Sequence, residues 1–252
     1  MNMAIKCCQN FVRLRSDRLT SNPSDILDHS LEVSPYNMDT FKDDPLVQAV
    51  TAYVKNYMSN YDASHDWSHI ERVVGLSHYI YAKSANKDSL DLRTIHLAAL
   101  LHDVGDKKYL KESEDPTTLI ATLLTSFSCP APLASKIQTI CLNVSYSTET
   151  KNPANPGFIN SLIEQHPELA VVQDADRLDA VGAVGLGRMF TFGGAKTGRD
   201  MAGSMEHVDE KLVRLVDLAK TDVGRELMRE RTEKLRVFQG WWEEEVGFVR
   251  RV

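Results

Sequence analysis

A chain of 252 residues is long enough to bury one sizeable core, and its formal net charge of -6 argues against a general binder of nucleic-acid backbones, which carry an overall basic surface. Its four cysteines, Cys7, Cys8, Cys129 and Cys141, contain no C-x-x-C pair, so they read as reduced intracellular thiols rather than half of a zinc module. No apolar run approaches membrane-spanning length, so no membrane partner and a cytoplasmic location are expected, while Lys6, Arg13, Arg15 and Arg18 leave a nuclear or organellar address open.

Residues 20–45 are rich in Ser, Asn, Asp and Pro without helical apolar spacing, and residues 1–43 as a whole are expected to form a flexible leader. The helical domain is expected over 44–252. Leu46, Val50, Tyr53, Val54, Tyr57, Met58 and Tyr61 recur at three and four residues behind Asp43 and Asp44, which predicts a capped amphipathic helix. A second helix is predicted from the Asp66-Trp67-Ser68 segment, with Ser68 as the cap, through Val73, Leu76 and Ile80. The third runs from about Ser89 to His102, with Gly105 placed to end it.

Further helices are predicted over Thr117–Phe127 and Ala134–Val144, then a turn-rich loop at Asn152–Gly157, then one long helix from Pro167 to Phe190 on which Asp176 and Asp179 share a face. Gly193–Arg199 reads as a mobile basic loop. Leu212, Leu215, Leu218, Leu227 and Leu235 belong to terminal helices interrupted near Thr221–Gly224. No alternating strand pattern intervenes, so the fold is expected to be all-α: a helical bundle with additional C-terminal helices.

His102-Asp103 ends the apolar stretch Ile95–Leu101 and offers one imidazole and one carboxylate to a single ion. With His69 upstream and the Asp174-Ala175-Asp176-Arg177-Leu178-Asp179 segment downstream, it spells H…HD…D. Four nitrogen and oxygen donors from three segments suit a divalent metal with open positions for water and substrate. His65 precedes His69 by four residues but lacks the following glutamate of a zinc protease, so it reads as a substrate-side or supporting residue. Arg72 suits either a phosphate or a carboxylate. Lys196, Arg199, His207 and Lys211 form a later group of donors that could neutralise a polyphosphate, with His207 and Lys211 four apart on one helical face.

The blocks His65–Val73, Leu101–Tyr109, Val172–Ala183 and His207–Leu212 together resemble the HD-domain metal-dependent phosphohydrolases, and within them the small bacterial and fungal branch with nucleotide pyrophosphohydrolase activity. The resemblance covers about residue 45 to the end. It implies His69, His102, Asp103 and Asp176 as ligands of one divalent ion (Mn, Mg, Fe, Co or Zn), with Asp179 as the alternative to Asp176. It also implies an acid at Asp106 that orients water or protonates the leaving group, with Lys107 beside it meeting a phosphate oxygen. The implied activity is hydrolysis of a nucleoside triphosphate to release pyrophosphate. The alternatives are a nucleotidase or phosphatase releasing orthophosphate, and a non-catalytic nucleotide sensor.

Overall fold

The computed structural model describes residues 38–106, 110, 112, 114–150 and 157–248, which fall in one unit spanning Tyr36–Val252. Lys107 and the first 37 residues of the expected leader lie outside the described residues. Eleven α-helices are present among the described residues, and no strand. They are α1 (Pro45–Met58), α2 (Trp67–Lys83), α3 (Leu92–Leu101), α4 (Leu119–Ser126), α5 (Ala131–Leu142), α6 (Tyr146–Thr150), α7 (Phe158–Gln165), α8 (Glu168–Asp179), α9 (Gly182–Phe192), α10 (Met201–Glu210) and α11 (Asp222–Val246). The all-α expectation holds.

Capping carboxylates set the first three starts. Asp44 accepts from the Leu46 and Val47 amides ahead of α1, Asp66 from the His69 amide ahead of α2, and Asp91 from the Arg93 and Thr94 amides ahead of α3. Two expectations are corrected here: Asp66, not Ser68, caps α2, and α3 begins at Leu92 because Asp91 stops the backbone there. Arg93 also reaches back to Asp44 at 2.6 Å, tying the start of α3 to the start of α1.

α3 is the central helix. Every residue from Thr94 to Leu101 is buried, so it is covered on all sides, by α1, α2, α5 and α8. It delivers His102 and Asp103 at its C-terminal end, where Gly105 turns the chain with a φ of +82°.

α8 is buried just as completely but carries Glu168, Gln173, Asp174, Arg177 and Asp179 inside. A buried polar helix is tolerable only if its side chains find partners. Glu168 takes Lys136 at 2.8 Å, Gln173 donates to the Asn143 carbonyl at 2.7 Å, and Asp174 accepts from the Lys220 and Thr221 amides and the Thr221 hydroxyl. Arg177 donates to the Leu218 carbonyl at 2.9 Å and to Glu149 at 2.5 Å. Through Asp174 and Arg177 the C-terminal helices are held to the bundle.

The predicted helix over 167–190 is in fact two. Ala180 ends α8, Val181 is extended (φ -123°, ψ 162°) and Gly182 takes a φ of +74°, a left-handed backbone that a side chain would strain. The kink redirects α9, so that Arg188 returns towards Asp179. Downstream, Gly193–Thr197 is a wide turn closed by Gly198, and a 3-10 segment at Leu212–Leu218 leads to Thr221, which caps α11.

Under the turn Met38–Phe41, the imidazoles of His78 and His96 are fully buried, with His78 Nε2 2.9 Å from His96 Nδ1 and Phe41 edge-on to both. Burial pushes His78 down to about 4; burial and then His78 push His96 down to about 3, with Asp44 drawing it partly back. Both rings are therefore neutral in the folded chain below the 6.5 at which they titrate when unfolded. The unfolded state takes up protons first, so their contribution is complete above pH 6.5 and is lost as pH falls towards 4. Denaturant titrations across that window are expected to show a fall on the order of a few kcal/mol, flattened in the His78→Gln/His96→Gln double variant.

Candidate metal centre

The site forms where the start of α2, the end of α3 and the middle of α8 meet. His69 occupies the first turn of α2 and is wholly buried. Its Nδ1 lies 2.7 Å from Asp179 Oδ2. His102 turns its own Nδ1 to the Ala99 carbonyl at 2.7 Å. A carbonyl only accepts, and a carboxylate held ionised only accepts, so both rings carry their proton on Nδ1 and present a lone pair on Nε2.

Those two Nε2 atoms are 3.1 Å apart. Asp103 approaches His69 Nε2 at 3.3 Å and His102 Nε2 at 3.6 Å; Asp176 Oδ1 approaches them at 3.6 and 3.8 Å. Asp103 Oδ2 is buried without a hydrogen-bond donor. With both rings neutral, four acceptor atoms thus converge. Without a cation that arrangement is repulsive, whereas donors bound to one ion at about 2.0–2.2 Å stand about 3–3.6 Å from each other. His69, His102 and Asp103 form a cluster that could hold a divalent metal, and Asp176 joins it from α8.

The carboxylates draw positive charge into the cluster. Burial and Arg188 pull the His69 pKa down, but Asp103 and Asp179 beside it outweigh them and leave it raised. Burial would raise Asp103, yet His102 and His69 hold it well below the usual carboxylate range. Burial likewise opposes ionisation of Asp179, and the His69 and Arg72 hydrogen bonds overcome it.

Of the two aspartates that the sequence leaves open, Asp176 faces the cluster and Asp179 sits on the opposite nitrogen of His69. Arg72 directs both arms of its fork at Asp179, at 2.7 and 2.9 Å. Arg188 adds a third contact at 3.2 Å while its Nε donates to the Ser64 carbonyl at 2.6 Å.

A cleft of about 410 Å³ opens over the cluster and brings Asp106, His65, Ser145–Ser147, Arg188 and Lys211 to its walls. His65 is fixed through Nδ1 to the Ser64 hydroxyl at 2.6 Å, and that hydroxyl also bonds Asp62. Lys211 stacks over the Tyr146 ring, 4.7 Å from its centroid. α10 ends at Glu210, so His207 and Lys211 do not share a regular helical face; both nevertheless border a second cavity with Arg199. Lys196 lies apart, 4.0 Å from Asp62.

Sequence reasoning missed Arg188 and the Ser145–Ser147 wall. Arg188 had a usable signal, since it is the one charged residue in the α9 sequence GAVGLGRMFTF. Ser145–Ser147 had none, because a five-residue helix carries no periodicity to place it.

An HD-domain family model matches residues 66–181, which contain His69, His102, Asp103 and Asp176. The uncharacterised protein YpgQ of Bacillus subtilis (strain 168) is 35% identical over 167 residues, 65% of this chain and 75% of that protein. The chain belongs to the HD-domain phosphohydrolase superfamily. Among solved structures, Bacillus subtilis YpgQ in complex with ADP is 30% identical with a TM-score of 0.61, over 79% of this chain and 94% of that one. An HD-superfamily hydrolase from Bacillus thuringiensis is 27% identical with a TM-score of 0.57, over 82% and 98%. His102-Asp103 lies within the matched residues, directly after the buried helix α3.

Removing one donor takes both charge and geometry from the HD cluster. His102→Ala and Asp103→Ala are expected to abolish binding of a divalent ion in calorimetric titrations. Asp179→Asn, which loosens His69 without touching the cluster directly, is expected to weaken it about 10–100-fold.

Proposed function

We propose that this protein is a metal-dependent phosphohydrolase that cleaves a nucleoside triphosphate to the monophosphate and pyrophosphate. The observation that carries the reading is the convergence of four metal-donor side chains, His69, His102, Asp103 and Asp176, beneath a cleft whose other walls bear Arg188 and Lys211. The complex of its relative YpgQ with ADP supports a nucleotide as the phosphorylated ligand.

A divalent ion held by those donors would supply Lewis acidity, making water more acidic and drawing charge from a phosphoryl oxygen. The chain's own residues do the rest. Arg188 and Lys211 hold phosphate oxygens by charge-assisted hydrogen bonds and so fix the reacting phosphorus against the cluster. Asp106, on the same wall, receives or returns a proton during attack. Oxygen from water bonds to the α-phosphorus as the bond to the bridging oxygen breaks; pyrophosphate leaves with that electron pair, and the proton of water passes to Asp106 and on to solvent. Lys107, its neighbour in sequence, is proposed as an additional phosphate contact. No described helix is long and apolar enough to cross a membrane, and the cytoplasm, with its nucleotide pool, is the proposed location.

The test is a panel of nucleoside mono-, di- and triphosphates incubated with Mn, Mg, Co, Fe or Zn, with pyrophosphate and orthophosphate measured separately. Pyrophosphate from triphosphates with little turnover of monophosphates is expected. Orthophosphate as the sole product would make the protein a nucleotidase, and nucleotide binding without product under every metal would make it a sensor. Asp106→Asn is expected to keep metal affinity and lower kcat roughly a hundredfold or more.

A further inference from the structure

Beside the metal cleft lies a second cavity of about 260 Å³, and His65, Ala180, Arg188 and Lys211 line both. The two compartments differ sharply in charge. Asp103, Asp106 and Asp176 all lie on the metal cleft. Among the described residues, the wall of the second cavity has no carboxylate side chain, and it collects Arg188, Arg199 and Lys211 with His207.

Met189, Phe192 and Leu212 also line it, and apolar surroundings strengthen the field of charges beside them. His207 registers that field: burial first, then Lys211 and Arg199, push its pKa down. Its Nδ1 is buried, with Glu210 at 3.6 Å, too distant for a hydrogen bond. The backbone shapes the same space. The turn at Gly193–Thr197 closes through a left-handed Gly198, and the Arg199 amide donates to the Gly193 carbonyl at 3.1 Å, which fixes the residue from which the Arg199 side chain departs.

We infer that this second cavity is an oligophosphate compartment: a nucleotide with its α-phosphorus at the His/Asp cluster extends its outer phosphates past Arg188 and Lys211 towards Arg199 and His207, leaving its nucleoside on the Ser145–Ser147 side. The inference rests on the nucleotide-hydrolase reading and gives it a direction. Cleavage then leaves pyrophosphate in the compartment that lacks acids, and substrates are selected by the number of phosphates beyond the reacting one. Lys196 takes no part, since it is directed towards Asp62 and lines neither cavity.

Because the compartment is built from the chain's own cations, it can be tested without metal and without turnover. Inorganic pyrophosphate is titrated calorimetrically into the full chain in the presence of a chelator, alongside adenosine and adenosine monophosphate. Pyrophosphate is expected to bind. Arg199→Gln, at an exposed position, and Lys211→Gln should each weaken it by about tenfold, the cost of one charge-assisted hydrogen bond, while adenosine binding is unchanged. Circular dichroism on each variant confirms the fold. No binding of pyrophosphate to the wild-type chain, or equal affinity in both variants, overturns the inference. So does a loss of adenosine affinity as large as that of pyrophosphate, which would make the cavity a base pocket against Phe192. A chain that binds pyrophosphate in this way yet hydrolyses no nucleotide would refute the functional reading and leave the compartment standing.

Discussion

The carboxylate of Asp179 is the interaction on which the site depends. It is 1% exposed and takes hydrogen bonds or ion pairs from His69, both arms of Arg72, and Arg188. A lone carboxylate at that depth would be neutralised by burial; with two guanidinium groups and an imidazole it stays ionised. Ionised, it fixes the tautomer of His69 and points the opposite nitrogen at His102. Removing one member of such a buried group leaves the others unpaired, at a cost of about 3–5 kcal/mol. Asp179 therefore joins α2, α8 and α9 and also orients the His69 end of the candidate metal cluster.

Helix α8 extends the same logic along its length. Its polar residues alternate between holding the bundle and facing the cluster: Asp174 and Arg177 grip the C-terminal segment, the half-buried Asp176 faces the cluster, and Asp179 orients His69. Arg177 also meets Glu149, which pairs with Lys220 at 2.6 Å. Glu149 lies on α6, whose first residues line the cleft. The wall opposite the metal cluster is thus anchored through the residue adjacent to Asp176.

How much of this was legible beforehand follows from what each signal encodes. α1 to α3 could be placed because apolar spacing is local, though the cap of α2 and the start of α3 were not, and His102-Asp103 stood out because a polar pair follows the largely apolar run Ile95–Leu101. The division of α8 from α9 was missed because apolar spacing runs across the break; the information lay in the left-handed backbone that Gly182 permits. The roles of Asp176 and Asp179 could not be separated from spacing, since three residues apart places both near one face. Only the direction of the His69 ring, held between them, distinguishes the donor facing the cluster from the one behind it. Arg72 illustrates the same limit, because the carboxylate it binds is 107 residues away in sequence.

Charge explains why the bundle alone is insufficient. Asp103, Asp106 and Asp176 bring three negative charges to the cleft, and a dication would leave one of them uncompensated. Such a site does not by itself attract a polyanion. The compensating cations come from outside the α2, α3 and α8 core: Arg188 from α9, Arg199 from the turn after it, and Lys211 from the end of α10. The C-terminal helices therefore supply the positive side of the two adjoining cavities, and their attachment through Asp174 and Arg177 holds those cations in place.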